Sequence, residues 1–546
     1  MATADPYSRK PGEYLEPPRG FWATLRHLGP GMILVGSVVG SGELIVTTKL
    51  GAVAGFVLLW FVLLSCFVKV VVQTELARHT IASGQTFLRV FNSLPGPKGP
   101  RPAWLTLPWM AVLVLCSVVA VATFMHLDEG SRTASAALLL SAGVVIVSLL
   151  TGWMVSRRES ASGGVMFSAV SKQGAHPDVN WFTWLWLASS LLVFVNSGAI
   201  LGGAGQVLEM AFPGILGEGG ARYWSIIIAI LCGALLLAGT YGSLEKLLIA
   251  LVASFTLLTV VCTALLQWTG FAVSWQDIAG GLSLGVPDEI STMLVLTALA
   301  MYAGTGVAFG EMWVYTYWCV EKGYARNAGA PQPGSEWPRR AKGWIRVMYT
   351  DAALTMVVYT VSTVCFYLLG AAILYIQQLN PDGRETIVTL SSIYTDSFGG
   401  WAASLFLVGS FVVLFTTVLS GAAGSSRTMA DALAVIGIID ASDYKARLRF
   451  IRLFVVVSLV LFAVAYWLFE NPPQMLLITS SLIAALMYPI LGLGTLYLRY
   501  RRVDSRIVPG PLTTAWLWVC AIVLALVSPG GIFVALAISF GWINFG

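Results

Sequence analysis

Gly36-Ser37-Val38-Val39-Gly40-Ser41-Gly42-Glu43-Leu44 lies in the middle of the first long apolar run of the chain, putting three glycines and a carboxylic acid where a membrane helix would have its centre. A charged side chain at that depth costs roughly 2.5 kcal/mol or more unless it is paired or faces water, so the fold must solvate Glu43. Glycine weakens a helix by about 1 kcal/mol relative to alanine, and clustered glycines permit local unwinding that frees carbonyls and half-helix ends for a ligand. A second stretch, Gly304-Thr305-Gly306-Val307-Ala308-Phe309-Gly310-Glu311-Met312, repeats the device in the other half of the chain. Taken alone, Gly36-x-x-x-Gly40 is also a helix-packing motif. The two buried glutamates joined to the glycines turn the reading toward a binding site, because intramembrane acids default to function.

Working outward, the surrounding sequence is that of a membrane protein. Of 546 residues, 57% are hydrophobic and 11% charged, and mean hydropathy is +0.79. Soluble domains carry about 25% charged residues. Apolar runs of about 20 residues, enough to cross a hydrocarbon layer as helix, recur from Pro30 almost to the C-terminus. They predict helices near 30–50, 54–78, 104–127, 134–155, 181–211, 222–241, 245–267, 291–318, 347–376, 400–422, 450–469, 474–498 and 513–541. The last is one helix or a hairpin bent at Pro529-Gly530-Gly531.

Lys and Arg concentrate in cytoplasmic loops. With the N-terminus inside, the inner loops hold Arg89 to Arg101, Arg157-Arg158, Lys322 to Arg346, Lys445 to Arg452 and Arg499 to Arg506. The outer loops keep little beyond Lys49, Arg132, Arg222 and Arg384. The net charge of +5 therefore reflects topology and calls for no nucleic-acid partner. No cleaved leader is expected, since the first twenty residues hold no apolar run. The seven cysteines and four histidines are scattered, which gives no disulfide or metal framework. There is no Walker A pattern, no HExxH and no GxSxG, so ATP-driven pumping and enzyme chemistry are disfavoured and no cofactor is expected.

With five core spans per half, the first half starts inside and the second outside, which makes an inverted repeat. The second span carries Lys69, Gln73 and Glu75 among valines and leucines. Lys69 lies too deep to snorkel easily, and Gln73 is one turn away on its face. A buried lysine can neutralise a glutamate, bind an anionic group or titrate as a proton coupler; a structural Lys–Glu pair is the plainer alternative. Glu75 and Arg78, three residues apart, read as an interfacial ion pair. Asp351 fits either an intracellular exit path or a helix N-terminal acid. Trp181, Trp184 and Trp186 read as an interfacial belt, and Ser425 to Arg427 suggest no role.

The residues resemble the Nramp family of proton-coupled divalent-metal transporters. The likeness is carried by Gly29-Pro30-Gly31, by Leu58-Leu59-Trp60 through Gln73-Thr74-Glu75-Leu76-Ala77-Arg78 to Gly84, by Asn196 to Gly205, by Gly242 to Lys246, by Arg346 to Asp351 and by Leu419 to Thr428. It implies ten core helices in two inverted bundles of five, with helices one and six unwound at the site. Helices 104–127 and 134–155 are then an inserted pair. The site itself departs from the family: its first-helix Asp-Pro-Gly-Asn is Gly40-Ser41-Gly42-Glu43 here, and its alanine carbonyl and methionine thioether give way to Val307-Ala308-Phe309-Gly310-Glu311. Loss of the thioether argues against strict manganese or iron selectivity, and two carboxylates suit a harder cation such as Mg²⁺. Lys69 stands where the family has a small apolar residue.

The expected fold is thus an all-α polytopic membrane protein. It has a cytoplasmic tail (1–28), core helices 1–2 (29–103), the inserted pair (104–155), core helices 3–5 (156–267), the second inverted repeat (268–498) and a C-terminal helix or hairpin (499–546). The expected function is secondary active transport of a divalent cation across a cell membrane, with protons as the coupling ion. Substrate would sit at Gly40, Ser41, Gly42, Glu43, Gly306, Ala308, Gly310 and Glu311. Glu43 and Glu311 would be the metal ligands, and Lys69, Gln73 and Asp351 the proton-coupling residues. The alternatives are an organic or anionic solute that uses Lys69 as its fixed charge, and a non-transporting receptor on a transporter scaffold.

Overall fold

In the computed structural model, which describes residues 5–9, 12–101, 177–239, 241–381, 386–440, 442–468, 481, 484–540 and 542, both glycine-rich stretches interrupt their helices. The first span divides into α1 (Pro30–Val38) and α2 (Gly42–Ala54), bent by 44°. Pro30 at the start of α1 suits a first turn, where its missing N–H costs nothing. Next come α3 (Leu59–Ser83), α4 (Phe87–Phe91), α5 (Trp181–Ala211), α6 (Gly220–Ala238) and α7 (Tyr241–Leu265). The second repeat opens on the other broken pair, α8 (Thr292–Gly304) and α9 (Phe309–Glu321). It continues through α10 (Glu336–Leu369), α11 (Thr386–Phe398), α12 (Ala402–Val435), α13 (Tyr444–Leu468) and α14 (Tyr488–Arg501), and α15 (Pro511–Ser539) is the last helix among the described residues. Among the described residues, eight helices are long and apolar enough to cross a membrane, and the bent α1–α2 pair makes a ninth.

The helices sort into two groups. α1, α2, α3, α8, α9 and α10 pack as a bundle, while α5, α6, α12 and α13 pack on one another as a scaffold, with α1 and α9 against α12 at the junction. This is the inverted repeat of five-helix units with broken helices one and six. The inserted pair lies outside the described residues. Strands Lys98–Pro100 and Asp178–Asn180, on either side of it in the sequence, pair antiparallel with Lys98 opposite Asn180.

Several spans differ from expectation, and α12 runs on to Val435, past the expected end at 422, because Ser426, Thr428 and Asp431 are buried there. α10 begins before 347 because Trp337, Pro338 and Trp344 are themselves buried and prolong the helix. α11 lies in a stretch expected to be loop. α15 passes through Pro529 as one helix rather than a hairpin. The six described cysteines are buried and free.

The N-terminal tail lies across one end of both groups. Arg9 donates to the carbonyls of Thr80, Ile81 and Ala82 in the last turn of α3, and to Gly329. Burial lowers its pKa to about 10, so it stays charged at neutral pH. The Tyr7 hydroxyl donates to Glu321 at the end of α9 (3.0 Å), and Arg447 of α13 stacks on its ring. Burial and Glu321 hold the phenol well above its ordinary pKa, which keeps the proton for that bond. Farther along, Arg340 stacks on Tyr14 and Arg339 pairs with Glu16. Two of the basic segments assigned to one side by charge, Lys322 to Arg346 and Lys445 to Arg452, therefore meet the tail.

Candidate functional site

Where the two broken helices cross, backbone groups lose their helical partners and charged side chains take them up. Glu43, fully buried at the start of α2, accepts from the Gly40 amide (3.0 Å) in its own break and from the Gly306 amide (2.9 Å) in the other. Thr363 of α10 donates to it at 3.4 Å. On the other side of the second break, Lys69 is equally buried and donates to the carbonyls of Tyr302 (2.6 Å) and Thr305. The breaks touch directly. A Cβ at Gly42 would collide with the carbonyl oxygen of Gly304, and Gly306 has φ +62°, in the left-handed region that glycine adopts without cost.

Gly42→Ala is therefore expected to destabilise the protein by roughly 1–3 kcal/mol, the cost of overpacking against backbone that cannot rotate away. Melting temperature in detergent checks this. Gly203→Ala is the control, because its Cβ would meet only the Leu414 side chain at 3.4 Å.

A cavity of about 180 Å³ opens at the crossing, between bundle and scaffold. Ser41, Gly42, Gly306, Ala308, Gly310 and Glu311 line it; Gly40, Glu43, Lys69, Gln73 and Asp351 do not. Glu311, in the first turn of α9, accepts from the Ser37 hydroxyl at 2.5 Å and is half-buried, open to the cavity. The N-terminal end of α9, with its positive dipole, further favours a carboxylate there. Hydroxyls of Thr417, Ser420, Ser425 and Thr428 on α12 and the amide of Asn196 on α5 add neutral donors and acceptors. No group of three or more His, Cys, Asp or Glu side chains assembles among the described residues, so a cation here would have to draw on hydroxyls, carbonyls and water.

The remaining sequence candidates occupy supporting places. Asp351 lies mid-α10, where it accepts from the amides of Gly29 (3.0 Å) and Gly31 (2.6 Å) and from the Tyr315 hydroxyl (2.8 Å). It thus caps the N-terminus of α1 from a neighbouring helix. Gln73 is buried one turn from Lys69. Glu75 and Arg78 form a buried pair rather than an interfacial one, because Arg499 of α14 closes on Glu75 at 3.0 Å.

Sequence reasoning missed part of the wall. Trp186 lines the cavity and is 2% exposed, so it is no interfacial belt residue. Ser425 also faces the cavity, and Arg427 beside it pairs with Glu321 at 2.7 Å. The signal was present: Thr417, Gly421, Ser425 and Thr428 recur every three or four residues and make a stripe of small residues along one face of the helix.

Comparison with known proteins agrees with this architecture. No curated protein sequence matches the chain. Among solved structures, the Eremococcus coleocola manganese transporter, crystallised with an aromatic bis-isothiourea compound, superposes with a TM-score of 0.59 at 13% identity, covering 98% of this chain and 92% of that one. A variant of the same transporter gives 0.54 at 14% identity, covering 97% and 91%. At such identities the likeness concerns the fold. Residues 160–533 match the family described as natural resistance-associated macrophage protein-like, Nramp. That range begins after Glu43 and Lys69 and takes in Glu311 and the α12 stripe. The chain is a multi-pass membrane protein and belongs to the Nramp family of transporters.

Proposed function

We propose that this chain is a secondary transporter that carries a divalent metal cation, partly hydrated, by alternating access through the cavity at Glu311. The observation that carries the reading is one carboxylate facing a hydroxyl-lined cavity at the crossing of two broken helices. A small hard cation that keeps several of its waters needs only one or two carboxylates, and hydroxyls and carbonyls can serve its outer waters. Family membership and the manganese transporter fold support a metal as cargo. The α12 wall holds one thioether, Met429, against many oxygens, which favours Mg²⁺ over softer ions.

In this reading Glu43 positions the two breaks and does not ligate the metal. The basic face with the tail is cytoplasmic and the membrane is the cell membrane. Protons entering with the metal would follow the symport that the family resemblance implies. Lys69 and Asp351, both committed to backbone groups, would then hold the frame rather than relay protons.

A second reading has its own observation: Trp186, Phe309, Trp313 and Phe462 also line the cavity, and aromatic faces suit an organic ammonium solute. Uptake into proteoliposomes separates the two. Mg²⁺ or Mn²⁺ entry that an inward acid gradient stimulates supports metal transport. Absence of flux for every divalent ion, with uptake of an amine that survives chelation, replaces it with the second reading.

A further inference from the structure

The end of α8 is where a free cation would be expected. A helix C-terminus leaves carbonyls without amide partners and carries the negative end of the dipole. In this fold those carbonyls point toward a buried lysine. Lys69 Nζ takes the oxygens of Tyr302 and Thr305, the Tyr488 hydroxyl takes that of Ala303 at 2.7 Å, and Ser65 adds a bond to Tyr302 at 3.2 Å. The rings of Tyr302 and Tyr488 face the ammonium at 5.5 and 5.9 Å. The carboxylates whose charges act on Lys69 are Glu43 and Glu311. Glu43 meanwhile holds the amide side of the same break.

We infer that the Lys69 ammonium is a tethered cation filling a latent monovalent-cation site formed by the carbonyls of Tyr302 and Thr305 beside Glu43. Its charge offsets that of Glu43, so the broken helix needs no inorganic ion to hold its shape and Glu311 remains the net negative charge offered to cargo. A lysine here does what Na⁺ or Li⁺ would do at carbonyls of this kind, with the ion supplied by the chain itself. The inference is independent of which solute the cavity carries, and its test reads stability rather than uptake.

The test compares purified wild-type protein, Lys69→Met, Lys69→Arg and the double variant Lys69→Met/Glu43→Gln by thermal melting in LiCl, NaCl, KCl or choline chloride at constant ionic strength. Wild type and Lys69→Arg are expected to melt at the same temperature in every salt. Lys69→Met is expected to melt lower in choline and to recover by about 2 °C or more in at least one alkali chloride, since an ion that binds only the folded state raises its stability. The double variant, which has lost the carboxylate beside the carbonyls as well, is expected to show no recovery in any alkali chloride. Where Lys69→Met is too unstable to purify in choline, the monodisperse fraction extracted in each salt gives the same comparison. A Lys69→Met protein with no preference among the four salts overturns the inference, as does a double variant that recovers in the alkali chlorides as much as Lys69→Met does.

Discussion

Glu311→Gln is expected to abolish uptake while leaving the protein folded. Gln matches the volume of Glu and still offers Ser37 an acceptor, so the first turn of α9 keeps its contact. What disappears is the one negative charge facing the cavity among the described residues. Removing one partner from a buried, hydrogen-bonded charge pair costs about 2–5 kcal/mol, at least roughly thirtyfold in affinity. Uptake and melting temperature measured together separate this from unfolding. Glu43→Gln provides the contrast. The Glu43 carboxylate accepts from two backbone amides, and an amide side chain would turn an N–H toward one of them. Stability should fall in that variant, whereas in Glu311→Gln only transport should fall. Full uptake in Glu311→Gln would sink the proposed site.

Asp431→Ala should be the most damaging single change outside the cavity. Asp431 is fully buried on the scaffold helix α12. It accepts from Arg447 of α13 (3.0 Å), Arg89 of α4 (3.2 Å), the Tyr317 hydroxyl of α9 (3.0 Å) and Thr86. Arg89 is partly exposed and can turn to water, but Arg447 is 3% exposed and cannot. Stranding a buried charge in this way costs about 3–5 kcal/mol, whereas replacing both members of a buried pair by apolar residues is often neutral. Asp431→Ala should therefore lower the melting temperature sharply, and Asp431→Leu/Arg447→Met should recover much of the loss. Equal melting temperatures for the single and double variants would show that the carboxylate is not what neutralises Arg447. These bonds join α9 and α4 to the scaffold at the tail end.

Much of this could be read from the sequence because membrane helices are written in local terms. Apolar length places each span, and clustered glycine marks where a helix opens. Both breaks fall where the glycines are, at Gly40 and at Gly304 to Ala308. Lys322 to Arg346 and Lys445 to Arg452 meet the tail at one end, as the one-sided bias of Lys and Arg in short loops leads one to expect. Trp186 and Ser425 escaped because their apolar and small-residue surroundings suit a lipid face as well as a cavity wall.

The two glutamates mark the boundary of what sequence can decide. The sequence alone determined that both lie mid-span beside broken helices and that each must be solvated there, since a bare charge in hydrocarbon is too costly to persist. It could not assign their solvation, because the partners lie some 260 or more positions away along the chain: Gly306 for Glu43 and Ser37 for Glu311. Only the packing of α1 and α2 against α8 and α9 decided that Glu43 faces backbone amides and Glu311 faces the cavity. The same packing brings Lys69 onto the carbonyls of Tyr302 and Thr305. The physical reason is that depth in a membrane follows from position along one helix, whereas what a side chain meets there depends on how helices cross.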